Sequence, residues 1–375
     1  MKRILTLLKR TMIIFLGLIL LLALGVILFL QHPKFGKAPN GERLARIHKS
    51  PNFKNGKFEN FSHTPPLTEG YSYTGIIYDQ FIKSNPYKEP KDIIPSTKTD
   101  LHQLDHEENI LVWFGHSSYF MQFEGKRILV DPVLSGNASP LPGSVKAFKG
   151  TDQYSVSDFP EIDYLLISHD HYDHLDYTTI VALRDKVKNV ICGLGVGSHF
   201  EHWGYSPNNI IEKDWDETMD FDEIKIHTTK ARHFSGRALS RSNTLWLSYV
   251  IETPKRKIYV GGDSGYDSHL AEIGAVHGPF DLVILDNGQY NVAWKEIHFM
   301  PEEVILAAKD LHAKRLMPVH SAKFSLAMHP WNEPLEKVYQ LSNQHNILLA
   351  TPIIGEKVRL DDDTQIFRSW WNEVN

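Results

Sequence analysis

Residues 165–177 read LLISHDHYDHLDY, and the last nine of these positions hold three histidines and three aspartates directly behind an apolar run. His169, His171, Asp173 and His174 form the pattern H-x-H-x-D-H on the loop that follows a strand expected over DYLLIS. Alternate positions on an extended backbone point the same way, so His169 and His171 can share one metal ion, while Asp173 and His174 turn toward a second. Two ions held about 3.5 to 4 Å apart can carry a hydroxide between them, the arrangement suited to hydrolysing phosphoesters and related bonds. A polar loop with surface histidines is the bland alternative, and four ligand-type residues at this spacing after a buried strand weigh against it.

The elements that must position such a loop are visible around it. NILVWFGHSSYFMQFEGKRILVDPVL reads as three strands with an EGKR turn joining the last two. DYLLIS, NVICGLG, EIKIHTTKA, TLWLSYVIET, RKIYVGGDS and DLVILDNG supply further strands, and a helix is expected over DYTTIVALRDKV. MPEEVILAAKDL has proline in its first turn and an apolar face at helical spacing, so it is a helix. Strands interspersed with helices point to sheets covered by helices on their outer faces.

The chain has 375 residues, of which 42% are hydrophobic, enough for one large core with additions. Forty basic against 45 acidic residues give a formal charge of -5 without blocks of one sign, so nucleic acid is not an expected partner. Cys192 is the only cysteine, which excludes an intrachain disulfide and a thiolate-rich metal site. Imidazole and carboxylate are the remaining donors, and they suit zinc, manganese or iron(II).

Four segments are expected. Residues 1–11 carry Lys2, Arg3, Lys9 and Arg10, and residues 12–30, MIIFLGLILLLALGVILFL, are uncharged and long enough to span a bilayer. The positive-inside rule puts residues 1–11 in the cytoplasm and everything after the span on the other side. The apolar run is longer than a signal-peptide core and LFLQHPKF offers no small-x-small cleavage site, which favours an uncleaved anchor. Residues 31–100 form a lead-in rich in Pro, Gly, Asn and Lys, with short helices expected over GERLARIHKS and SYTGIIYDQFIKS. Residues 101–375 form the domain that carries the H-x-H-x-D-H loop.

The H-x-H-x-D-H loop resembles the signature of the metallo-β-lactamase-fold hydrolases. WFGHSSYF, ILVDPVLS and DNGQYNVAWKEIHFMPEE narrow the resemblance to the branch of N-acyl-phosphatidylethanolamine-hydrolysing phospholipase D and its bacterial membrane-associated members. That resemblance implies an α/β fold, an αββα sandwich of two mixed sheets with outer helices, here preceded by one transmembrane helix. It further implies two zinc ions. His233 in KARHFSGR matches the third ligand of the first metal beside His169 and His171, His320 in LMPVHSAKF joins Asp173 and His174 on the second, and Asp263 in YVGGDSGY bridges both. Asp220, Asp222 and His227 lack motif support and are read as surface residues.

Other assignments follow by analogy. Asp131 either accepts a hydrogen bond from a ligand imidazole or is a turn acid before Pro132. His298 matches a histidine that faces the substrate and would polarise a phosphoryl oxygen or protonate the leaving group. His116 belongs either to the pocket wall or to the Gly-His turn itself, and Gln289, Tyr290 and Tyr266 are candidate pocket residues. The implied reaction is attack of a metal-held hydroxide on the phosphodiester of an N-acyl-phosphatidylethanolamine-like lipid, with Asp173, Asp263 and His298 as catalytic residues. A lipid-cutting site needs an apolar groove, which the aromatic residues between 294 and 331 would either line or miss by being core. A lactonase, acting on sugar-phosphate or acyl-homoserine lactones, and a non-catalytic metal-binding envelope protein are the other readings. Oligomeric state is not legible from these residues.

Overall fold

A computed structural model describes every residue except Met1, Ser84, Asp222 and Glu223, and every described side chain except those of Lys2 and Phe81. The surface reading of Asp222 therefore falls outside the described residues. Helix α1 (Lys2–Leu30) stands away from the rest of the chain with none of its apolar stretch buried, and it is long and apolar enough to cross a membrane. The lead-in supplies α2 (Gly41–Ile47), a small hairpin of β1 (Phe53–Lys54) and β2 (Lys57–Phe58), and α3 (Tyr73–Phe81).

Two seven-stranded mixed sheets follow. The first uses β3 (Ile110–Trp113), β4 (Tyr119–Phe123), β5 (Lys126–Val130), β6 (Ile162–Ile167), β7 (Val187–Gly193) and β8 (Ile210–Lys213), with helices α4 (Tyr177–Leu183) and α5 (Gly197–His202) between its later strands. The second uses β9 (Thr218–Phe221), β10 (Ile224–Thr229), β11 (Ser248–Glu252), β12 (Lys257–Val260), β13 (Leu282–Asp286), β14 (Arg315–Val319) and β15 (Leu348–Leu349), with α6 (His269–His277), α7 (Pro301–Asp310) and α8 (Glu333–His345). The last strand, β16 (Lys357–Arg359), returns to the edge of the first sheet beside β3. Strands β5 to β8 are parallel, as are β12 to β15, while the other neighbours are antiparallel.

Burial follows the period of two. In β6, Tyr164 and Leu166 enter the core between the sheets, while Leu165 and Ile167 face the outer cluster that α4 and α5 cover. Both faces of that strand are dry, which is why it reads as an unbroken apolar run. On the other sheet, Val283 and Leu285 of β13 meet α6, α7 and α8. The αββα expectation holds.

Two boundaries differ from the sequence reading. The strand expected over TLWLSYVIET begins only at Ser248, because the backbone before it turns to the first sheet: Leu245 N donates to Leu194 O and Leu247 N to Ser168 O. The helix expected over DYTTIVALRDKV stops at Leu183, and Val187 already opens β7. Strands β8 and β9 and helices α5, α6 and α8 were not anticipated.

The two sheets are also tied by a buried polar contact. Tyr249 of β11 donates its hydroxyl toward Ile167 O (2.6 Å) and Ile191 O (3.1 Å) at the ends of β6 and β7. Tyr249→Phe should lower stability by about 1 kcal/mol, the net worth of one buried hydrogen bond. Thermal unfolding of the two proteins in the same detergent checks this.

Candidate metal centre

In an α/β sheet whose parallel strands all end on one side, polar side chains collect outside the carboxyl ends. Here Asp131 follows β5, Ser168 and His169 follow β6, His233 comes four residues after β10, Asp263 three after β12, Asp286 ends β13 and His320 follows β14. Gly262 makes one of these approaches feasible: its φ is +60°, and a Cβ there would lie 2.8 Å from Ser168 Cβ.

Two donor groups result, and a third, overlapping set joins His298 to Asp263 and His320. His169 Nε2 lies 2.7 Å from His171 Nδ1, and His233 Nε2 lies 3.3 Å from the same atom, so three imidazoles converge. Beside them are His174, His320, Asp173 and His116, all within reach of a single ion. Asp263 stands between the groups, its Oδ2 3.2 Å from His174 Nε2, 3.7 Å from His233 Nε2 and 3.8 Å from His169 Nε2, and its Oδ1 3.1 Å from His320 Nδ1. The seven positions singled out in the sequence come together at one point.

The outer nitrogens are held as well. His174 Nδ1 donates to Asp131 Oδ2 at 2.8 Å, and Asp131 also accepts from Ser168 N (2.8 Å) and Ser168 Oγ (2.5 Å). The partner role of Asp131 is thus realised. Ser168 Oγ lies 2.9 Å from His169 Nδ1, and His233 Nδ1 bonds Ile297 O at 2.9 Å. Such contacts fix the tautomer and aim the other nitrogen inward.

Burial sets the charges. It holds His169, His233 and His320 well below the ordinary imidazole value, so their lone pairs stay available. Burial opposes protonation of His174 too, but Asp263, Asp173 and Asp131 raise it well above that value. Burial also opposes ionisation of Asp173 and Asp263, yet the imidazoles, His174 foremost, keep both carboxyls far below the ordinary range. His174 Nε2 and Asp263 Oδ1 are buried without a hydrogen-bond partner, a costly state that a cation relieves. Imidazoles held neutral at His169, His233 and His320, ionised carboxylates and unsatisfied buried atoms fit divalent metal.

The remaining candidates separate. His298 faces the same space, its ring 5.1 Å from that of His233 and 5.2 Å from that of His320, with Nδ1 held at 2.8 Å by Asp286. Burial lifts Asp286 to about 7, while burial works against His298 and Asp286 more than offsets it, so the His298 imidazole is raised. Gln289 lines the cavity beside the metal residues. His116 does not line the cavity: it is fully buried behind Asp173, with Nε2 3.0 Å from Asp173 Oδ2. Tyr290 turns away to Glu333 (2.9 Å), and Tyr266 to Asp310 (2.6 Å). Asp220 is mostly exposed on β9, and His227 pairs with Thr218 and Glu252 on the sheet.

That cavity has a volume of about 330 Å³. Leu67, Ile76, Trp294, Ile297 and Leu326 form its apolar wall, with Tyr73 and Arg241 beside them. Phe299, Phe324 and Trp331, by contrast, are core. Two contributions were missed in the sequence: Asp286, marked only by its place at the end of a buried strand, and the lead-in residues from Pro66 to Ile76.

Comparison with known proteins agrees with this geometry. A profile described as the beta-lactamase superfamily domain matches residues 126–321. The chain belongs to the beta-lactamase superfamily. It is a metal-dependent hydrolase of that superfamily with a His/Asp metal site. The uncharacterized protein Rv0906 of Mycobacterium tuberculosis is 36% identical over 329 residues, covering 86% of this chain and 88% of that protein. N-acyl-phosphatidylethanolamine-hydrolyzing phospholipase D 1 of Caenorhabditis elegans is 28% identical over 329 residues, 80% of this chain and 89% of that protein. The crystal structure of CmlA, a diiron beta-hydroxylase from Streptomyces venezuelae, superposes with a TM-score of 0.53 at 19% identity, covering 68% of this chain and 55% of CmlA, a likeness of fold alone.

Asp131→Asn keeps the shape but offers His174 and Ser168 a poorer acceptor. It should weaken metal affinity by roughly 10- to 100-fold. Asp263→Ala, which removes the carboxylate between the two groups, should lower bound metal further; elemental analysis after dialysis against graded chelator ranks the three proteins.

Proposed function

We propose that this hydrolase is a phosphodiesterase acting on phospholipids of the N-acyl-phosphatidylethanolamine type. His169, His171 and His233 would hold one zinc ion and Asp173, His174 and His320 another, with Asp263 placed to serve both. The observation that carries the reading is the apolar cavity opening directly onto the His/Asp cluster, as a lipid head group with its chains requires. Similarity to a phospholipase D of that specificity supports it.

When bound, the two ions supply a water acidified toward neutrality and positive charge for the phosphoryl oxygens. The chain's own residues do the rest. Leu67, Ile76, Trp294 and Ile297 exclude solvent from the phosphodiester and receive apolar chain. His298, fixed through Nδ1 by Asp286, presents its other nitrogen to the cavity and gives a proton to the departing head-group oxygen as the phosphorus–oxygen bond breaks. Gln289 anchors the floor: its side chain bonds Leu326 N (2.8 Å), Ala327 N (3.0 Å) and Phe324 O (3.1 Å), so its part is to shape the pocket.

Helix α1 anchors the enzyme in a membrane. Lys2, Arg3, Lys9 and Arg10 before the apolar run support a catalytic domain on the extracytoplasmic side.

Purified full-length protein should hydrolyse N-acyl-phosphatidylethanolamine to phosphatidic acid and the head-group alcohol, with loss of turnover in chelator and recovery with zinc. His298→Ala should retain its metal and lose roughly 10²- to 10⁴-fold in kcat. Metal retention with hydrolysis of lactones but not phosphodiesters would overturn the reading, as would loss of metal in His298→Ala for the ligand assignment.

A further inference from the structure

Helix α3 presents an apolar face that no part of the described chain covers. Tyr73, Ile77, Tyr78 and Ile82 at its C-cap are 59%, 56%, 58% and 67% exposed, and their spacing puts them on one half of the helix circumference. Tyr71, just before the N-cap Ser72, is 48% exposed. The opposite half, Ile76 and Gln80, turns toward the domain over Ala293, Trp294 and Met328. Soluble surfaces rarely concentrate apolar side chains in this way.

The position of this helix says what covers it. Tyr73 and Ile76 line the mouth of the catalytic cavity together with Phe234 and Arg241. The loop from Phe234 to Asn243 continues from there to the root of α1, where Arg237, Ala238 and Ser240 share a cleft with Leu30 and Phe35. Arg237 fixes that root by donating to Lys34 O (2.8 Å), Asp170 O (2.8 Å) and Leu175 O (2.8 Å). Between the two ends, Leu239 is 87% exposed, and Arg241 lies exposed over the Phe234 ring at 3.7 Å. Membrane span, protruding leucine, exposed cation, cavity mouth and apolar helix therefore follow one another along a single rim.

We infer that α3, with Leu239, lies in the lipid–water interface of the bilayer that α1 spans, so that the cavity mouth opens against the lipid surface. The inference rests on the anchor reading of α1. Tyrosines flanking isoleucines are the composition of an interfacial helix, with rings at the head groups and aliphatic side chains below them. A lipid would then enter past Tyr73 and Ile76 without crossing water.

Site-directed fluorescence tests this on the full chain, because Cys192 is buried and leaves an introduced cysteine as the one accessible thiol. Ile77→Cys, Leu20→Cys and Ile366→Cys are labelled with an environment-sensitive dye in vesicles of equimolar phosphatidylcholine and phosphatidylglycerol. The vesicles also carry phosphatidylcholine with nitroxides at shallow or deep acyl positions. Ile366 is the control: it is 90% exposed, next to Gln365, whose carbonyl binds Arg315 at the strand ends remote from the metal residues. The expected result is blue-shifted emission at position 77, quenched by shallow nitroxides, with position 20 quenched by deep ones and position 366 unquenched. Quenching at 20 with 77 behaving like 366 would overturn the interfacial helix and leave the anchor standing; quenching at 77 without 20 would sustain the helix and remove the anchor. A blue shift at 77 without nitroxide quenching would mean a protein face covers it, which also overturns the inference. Ile77→Asp/Ile82→Asp should raise KM for vesicle lipid on the order of tenfold, with turnover of bis(p-nitrophenyl) phosphate and metal content unchanged.

Discussion

The structure depends on keeping five imidazoles and two carboxylates, all buried but the half-buried His171 and Asp173, in one small space without a ruinous charge. His169, His174, His233 and His320 are at most 1% exposed, and burial, joined by the neighbouring imidazoles, holds His169, His233 and His320 well below the ordinary value. The carboxylates of Asp173 and Asp263 remain ionised because the rings around them compensate. A set like this is stable only if every outward nitrogen finds an acceptor or a hydroxyl, since an unpaired buried polar group costs as much as a good hydrogen bond gives. That requirement explains Asp131, Ser168, Asp286 and the carbonyl of Ile297 as parts of the same arrangement.

Backbone strain is found there too. His116, Asp131, Gln289 and His320 all have positive φ, between 42° and 66°, a region that non-glycine residues visit uncommonly. Each stands where the chain leaves a strand or a tight turn and must reverse its side chain toward the cluster or its floor. Trp113 Nε1 donates to His116 O at 2.8 Å, His116 N donates to Ser321 O (3.0 Å) and His116 O accepts from His320 N (3.0 Å). The surrounding hydrogen bonds over-determine these conformations, which is the condition under which strain persists at a site.

What was legible in the sequence divides along the same line. The H-x-H-x-D-H loop is local, so its spacing alone carried its chemistry, and β6 behind it announced itself as a run buried on both faces. Asp131 stood in a segment compatible with two roles, and only the parallel pairing of β5 with β6, which brings Ser168, 37 residues on, beside it, decides between them. Asp286 and the contact of His116 with Asp173 were invisible because their partners are distant in sequence. Tyr290 looked like a pocket residue because it follows Gln289, but the two side chains diverge, one to the cavity floor and the other to Glu333. Helix α8 went unread even though its buried Leu335, Val338 and Ser342 recur at helical spacing.

The lead-in is where composition misleads most. Its prolines and asparagines suggest a wrapping segment and nothing more, yet it is bound to the centre through the backbone. Asn60 brackets His233, donating to its carbonyl at 2.8 Å and accepting from its N–H at 3.2 Å. Next to it, Arg232 is held by Thr64 Oγ1 and the carbonyls of His63 and Tyr266, and Lys37 N donates to His199 Nδ1, whose other nitrogen lies 3.2 Å from Asp170. Asp170, between His169 and His171, in turn accepts from Gly236 N and Thr244 Oγ1. The segment leaving α1 and the loop bearing the metal residues are therefore one hydrogen-bonded body. Hydrogen bonds thus run without a break from the chain just after α1, through His199 and Asp170, to the loop that carries the metal residues.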